Sequence, residues 1–203
     1  MHSDSSSAPP LVLASASPRR RELLTQAGFV FRVDAADIPE DPLPGEDPIA
    51  YVTRLAREKA EAVRARLAAN GSASDAILLG ADTTVIVDGQ ILGKPTSADD
   101  AARMLRLLSG RTHQVITGVA VISATQTLTA AEITAVQFFS LSEDEIAAYV
   151  ATGEPLDKAG AYAIQGRAAR WIPAIHGCYF NVVGLPLALV ASLLAALSPS
   201  LPS

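Results

Sequence analysis

One cysteine, Cys178, stands in the whole chain, so an internal disulfide is excluded and a reducing, cytoplasmic setting is expected. Histidine is scarce too: His2, His113 and His176 form no spaced pair, which argues against a structural zinc site. Positive charge is not in surplus. The net charge of −5 disfavours a general nucleic-acid binder, although it permits a small basic pocket. No apolar run reaches the roughly 20 residues that span a bilayer, and no membrane partner is expected. The closing stretch from Pro186 to Leu197 reads as a buried helix. The opening MHSDSSSAPP lacks both the basic and the apolar part of a secretory signal, and residues 1–10 read as a disordered tail. Neither a Walker-type phosphate loop nor a G-x-S-x-G elbow is present.

What the chain does have is apolar residues at 49% and charged residues at 18%, a globular composition. Strands and helices alternate, which favours an α/β layer architecture over residues 11–198. Strands are expected at 11–14, 29–33 and 77–81, a hairpin at 85–92 around Asp88-Gly89, and longer paired strands at 114–123 and 128–140. Residues 162–164 and 170–175 read as further strands. Helices are expected at 18–28, 48–69, 97–108 and 142–150, with a last one from Pro186. Their starts carry N-cap signals at Ser17, Asp47, Ser97 and Ser142, the last with Glu145 as a capping box. Residues 34–47, acidic and rich in proline, read as a loop.

Several residues break local rules. Arg19, Arg20 and Arg21 follow Ser17-Pro18 at a helix N-terminus, the electropositive end. They are either solvated charge or an anion site, where guanidinium forks join backbone N–H groups. Lys59 falls inside the apolar stripe Ile49, Val52, Leu55, Ala56, Val63 and Leu67. It either snorkels to the edge or sends its ammonium into a cleft. Asp82 stands where an apolar strand ends, placed to hold a divalent cation, to orient water, or simply to open a turn. The glycine-punctuated DKAGAYAIQG brings Asp157, Lys158 and Gln165 together, and the Gln165 amide is suited to a base edge.

Taken together, LASASPRRRELL, YVTRLAREKA, GADTTVIVDGQILGKP, LSGRTHQVITGVAVI, EPLDKAGAYAIQG and YFNVVGLP, in that order, resemble the Maf family of nucleoside triphosphate pyrophosphatases over nearly the whole chain. The resemblance implies a Maf/ITPase-like α/β fold: a long mixed, twisted sheet flanked by helices, with two lobes around a deep cleft. It implies hydrolysis of a nucleoside triphosphate to the monophosphate and pyrophosphate, and often a homodimer. It also implies a divalent cation, Mg²⁺ or alternatively Mn²⁺ or Co²⁺. The DKAGAYAIQG form is similar to the branch acting on dTTP and UTP. The alternatives are 7-methyl-GTP or another nucleotide, and a nucleotide-sensing regulator of cell division without turnover. By position, Asp82 matches the catalytic aspartate. Arg19, Thr83 and Gln165 match substrate-choice positions. Ser15, Arg20, Lys59, Lys94 and Lys158 match other substrate-binding positions. Glu40 and Asp82 match the metal carboxylates, with Pro39 standing where the family often has an aspartate.

Overall fold

A computed structural model describes residues 9–71 and 75–197; of the expected N-terminal tail, residues 1–8 lie outside this range, as does residue 198 at the other end. Seven strands form one mixed sheet in the order β2-β1-β3-β5-β6-β7, with β4 beside β3. They are β1 (Leu11–Leu13), β2 (Phe31–Val33), β3 (Ile77–Val87), β4 (Gln90–Leu92), β5 (Thr112–Ile122), β6 (Thr127–Gln137) and β7 (Ala174–His176). The helices are α1 (Pro18–Gln26), α2 (Pro48–Ala69), α3 (Ala98–Leu108), α4 (Glu143–Val150), α5 (Tyr179–Val183) and α6 (Leu187–Leu197). No described helix is long and apolar enough to cross a membrane.

The helix starts follow their caps. Ser17 accepts from Arg20 N, Asp47 from Ile49 N and Ala50 N, and Ser97 from Asp100 N. Ser142 and Glu145 form the capping box. β1 and β2 run parallel to their neighbours, as a strand–helix–strand crossover demands, while β3, β5 and β6 pair antiparallel over long registers.

Five expectations fail. Residues 77–81 and 85–87 are not separate strands, because β3 runs unbroken through Asp82-Thr83-Thr84, paired to β5 from Leu78 to Ile86. Asp82 therefore lies mid-strand, opposite Gly118, and not at a strand end. Residues 162–164 are not a strand. They leave a left-handed kink at Gly160 and Ala161 and are buried between short 3-10 turns at Ala159–Ala161 and Arg167–Trp171. The second of those turns also takes the start of the expected strand 170–175, leaving only β7. Ile49, placed on the buried stripe of α2, is 41% exposed.

α2 lies on the sheet at two glycines. A Cβ on Gly80 would sit 1.9 Å from Ala56 O, and one on Gly118 would sit 2.4 Å from Val52 O. Contact at that range needs bare backbone in the sheet. It sets Val52, Leu55, Ala56, Lys59 and Ala60 against β3 and β5, all of them buried.

Candidate active site

β5 covers one edge of β3 along almost its whole length. On the other edge, β1 pairs only with Ile77–Leu79 and β4 only with Val85–Val87. Among the described residues, Gly80 to Thr84 thus have no strand beside them on that side. A cavity of about 630 Å³ opens at this gap. The gap leaves an edge of β3 open, and side chains from both of its faces, Asp82, Thr83, Thr84 and Val85, line the same cavity. Asp82 and Thr84 belong to the α2 face; on the other face Thr83 meets Arg20 of α1 and Val85 lies against Gly160.

Of the candidate residues all but Arg21 line this one cavity: Ser15, Arg19, Arg20, Glu40, Lys59, Asp82, Thr83, Lys94, Lys158 and Gln165, with Asp157 beside them. They come from the β1–α1 turn, the acidic loop, α2, β3, the segment after β4, and the turns at 157–165.

Lys59 resolves in favour of the cleft. Its stem crosses the core, its side chain is 9% exposed, and Nζ lies 2.6 Å from Asp82 Oδ1 and 2.6 Å from Glu40 Oε1. Burial pushes the Glu40 carboxyl up, but the hydrogen bond and charge of Lys59, with Lys94 and Arg20 behind them, bring it below its ordinary value. Tyr51, on the same wall, is pushed up to about 12 by burial and by the charges of Asp82 and Glu40. It is a neutral phenol that donates to Glu40 O at 2.8 Å.

The three arginines divide into three roles. Arg20 is buried, and its guanidinium donates to Gly184 O (2.8 Å), Ser15 Oγ (3.0 Å), Ala81 O (2.8 Å) and Thr83 Oγ1 (3.0 Å). Ala81 O belongs to the gap in β3, so Arg20 serves there as a substitute for the missing strand. Arg19 stays partly open, 3.5 Å from Asp157. Arg21 is exposed. Asp157 also receives Lys158 Nζ at 2.5 Å, and the same ammonium donates to Glu154 O at 2.7 Å. Thr83 Oγ1 shares a hydrogen bond with Thr117 Oγ1 at 2.9 Å, anchoring the far side.

Tyr51, Asp41 and Thr84 also line the cavity and were not singled out from the sequence. Thr84 is buried, and its hydroxyl has no hydrogen-bond partner among the described residues. Tyr51 had one visible signal, its place eight residues before Lys59 on the same helix. Among the described residues no group of three or more His, Cys, Asp or Glu gathers to hold a metal. Glu40 and Asp82 meet in the cavity through the shared Lys59 ammonium.

Residues 10–197 match the sequence pattern of the Maf family (Maf-like protein). The chain is 56% identical over 188 residues to a Moorella thermoacetica protein named dTTP/UTP pyrophosphatase, covering 91% of this chain and 93% of that one. It is 52% identical over 180 residues to a protein of the same name from Koribacter versatilis, covering 89% and 90%. Among solved structures, the Staphylococcus aureus Ham1 protein overlaps 93% of this chain and 100% of its own at 12% identity and a TM-score of 0.45, a likeness too slight to bear on function. With all six sequence stretches gathered in order and the match running almost end to end, the chain belongs to the Maf family.

Proposed function

We propose that the chain hydrolyses dTTP and UTP to the nucleoside monophosphate and pyrophosphate. The observation that carries this is the Asp82–Lys59–Glu40 cluster set in a cavity with four further cations, in a chain more than 50% identical to dTTP/UTP pyrophosphatases.

The lining carries Arg19, Arg20, Lys59, Lys94 and Lys158 against Glu40, Asp41, Asp82 and Asp157, a formal balance of one positive charge. A triphosphate brings about four negative charges, so the protein alone leaves most of them unmatched. That deficit and the two carboxylates on one ammonium fit a divalent cation of the kind that takes one or two carboxylates and completes its shell with substrate phosphates. Glu40 and Asp82 would hold it. When bound, it supplies charge neutralisation at the phosphate oxygens.

The remaining work falls to the chain. Arg19, Lys94 and Lys158 hold the β- and γ-phosphates, with Arg19 and Lys158 exchanging Asp157 for substrate. Lys59 fixes Asp82 through Oδ1, which leaves Oδ2 to orient a water and take its proton. The water oxygen bonds to the α-phosphorus, the bond from that phosphorus to the bridging oxygen breaks, and pyrophosphate leaves with the bridging oxygen. Thr83 and Gln165 flank the base. Positioning and charge stabilisation account for the catalysis.

A cytoplasmic location and a homodimer belong to the same reading. The single cysteine supports the first. The second is supported by the outer edge of β6, where β7 pairs only with Ala135–Gln137, and sedimentation velocity checks it.

Pyrophosphate release across canonical and modified triphosphates tests the function. Release from dTTP and UTP is expected, and Asp82→Asn should lower it by about 100-fold or more while the melting temperature holds. A chain that prefers 7-methyl-GTP, or that releases nothing, would overturn the assignment.

A further inference from the structure

The acidic loop from Asp34 to Glu46 joins β2 to α2, and among the described residues no backbone–backbone hydrogen bond involves residues 35–42. A loop of that length without its own ladder takes its position from side chains. Here nearly all of them come from α2. Tyr51 OH donates to Glu40 O at 2.8 Å. Arg54 donates through Nη2 to Asp41 O at 3.2 Å and grips Glu46 with Nε and Nη2 at 2.6 and 2.7 Å. Glu46 in turn accepts from Leu43 N at 2.9 Å, and Arg54 Nη1 is steadied by Glu58 at 3.1 Å. Arg66 closes the far end on Asp34 and Ala35 O.

One helix therefore holds Glu40 twice. Lys59 takes its carboxylate, and Tyr51, two turns earlier, takes its main-chain carbonyl. Arg54 fixes the next peptide. A carboxylate on an untethered loop would occupy many positions around Lys59; a tether on both ends of the residue leaves few.

We propose that Tyr51 and Arg54 are positioning residues: they strap the acidic loop to α2 so that the Glu40 carboxylate meets Lys59 and Asp82 in the cavity. This rests on Glu40 taking part in the proposed hydrolysis. The Tyr51 hydroxyl and the Arg54 guanidinium are both engaged with the loop's own carbonyls and carboxylate. Their effect passes through Glu40.

The test combines coupling with a local probe. Tyr51→Phe keeps the buried ring and removes only the hydroxyl. It should leave the melting temperature near that of the parent and lower kcat/KM about tenfold, the size of one well-placed hydrogen bond. In a Glu40→Gln background the same change should cost less than about twofold, because the group it positions is already lost. Arg54→Gln should behave alike. In the nucleotide-free protein, cleavage after Glu40 by a glutamate-specific protease, read by mass spectrometry, should quicken about fivefold or more in either variant. Equal losses of kcat/KM in both backgrounds, or cleavage at the parental rate, would overturn the proposal. If the parent itself released no pyrophosphate, the reading of function would fail. The cleavage comparison would then still decide whether the strap holds the loop.

Discussion

His113 is the residue whose burial has the plainest consequence. It sits on β5 at 2% exposure, edge-on to Phe138 and Tyr162. Nε2 shares a hydrogen bond with Tyr162 OH at 2.8 Å, and Nδ1 has no partner among the described residues. Burial lowers its pKa to about 4. The unfolded chain, with a histidine near 6.5, binds the extra proton first as the pH falls. Its contribution to stability is therefore complete above about pH 6.5, shrinks as the pH drops, and is gone once the folded imidazole also protonates near 4. The whole swing is on the order of 3 kcal/mol. Urea unfolding between pH 6.5 and 5 checks it. His113→Gln should flatten the slope, and Glu46, held at about 2 by its Arg54 hydrogen bond, titrates well below that window. Equal slopes in the two proteins would show that the folded protein protonates His113 freely. At this scale the sequence was informative where a charge offended its surroundings: Lys59 in an apolar stripe and Arg20 at an electropositive terminus both proved buried. Tyr51 offended nothing, since a tyrosine on an apolar face is ordinary, and its tie to Glu40 O joins residues that only the fold brings together.

Among the elements, β3 and α2 determine the site, and their separation depends on Gly80 and Gly118. At both positions the atoms that a Cβ would meet first are α2 backbone, which cannot rotate away. Gly80→Ala must push α2 off the sheet. It should cost about 3 kcal/mol or more in urea unfolding, and it should carry Lys59 away from Asp82. Turnover should then fall further than the loss of folded protein accounts for. Gly93→Ala is the control: nothing lies within 4 Å of its Cβ position, and its stability should stay within about 0.5 kcal/mol. A Gly80→Ala protein as stable as the control would mean that α2 does not rest on the strand there. Helix starts were legible because caps are local chemistry. The continuity of β3 was not, since Asp82 discourages a strand on its own and only the long register with β5 carries the backbone through. α5 spans five residues, too few to show a period. In the apolar run 162–164, Tyr162 and Ile164 are buried, but among the described residues no strand pairs with it, so hydrophobicity alone misassigned it.

For the molecule as a whole, the decisive contrast is between the net charge and the cavity. The chain carries −5 overall, so its long-range field opposes an approaching polyanion. The cavity collects five cations at the break in β3, yet four carboxylates nearly cancel them. Such a site attracts a triphosphate by short, directed contacts and not by bulk charge. Affinity should consequently depend on a divalent cation that covers the remaining phosphate charge. With a non-hydrolysable dTTP analogue at about 100 times its dissociation constant and Mg²⁺ present, linkage gives roughly 2.7 kcal/mol of added stability. For a chain of this size that raises the melting temperature by about 5–10 °C. Under chelator the same analogue should give a small fraction of that rise, because phosphate repulsion against Glu40 and Asp82 returns. A full rise under chelator would show that Arg19, Lys94 and Lys158 suffice for the phosphates. It would leave Glu40 and Asp82 without a metal cation to share, and Lys59, with Lys94 and Arg20 behind it, as their counter-charge.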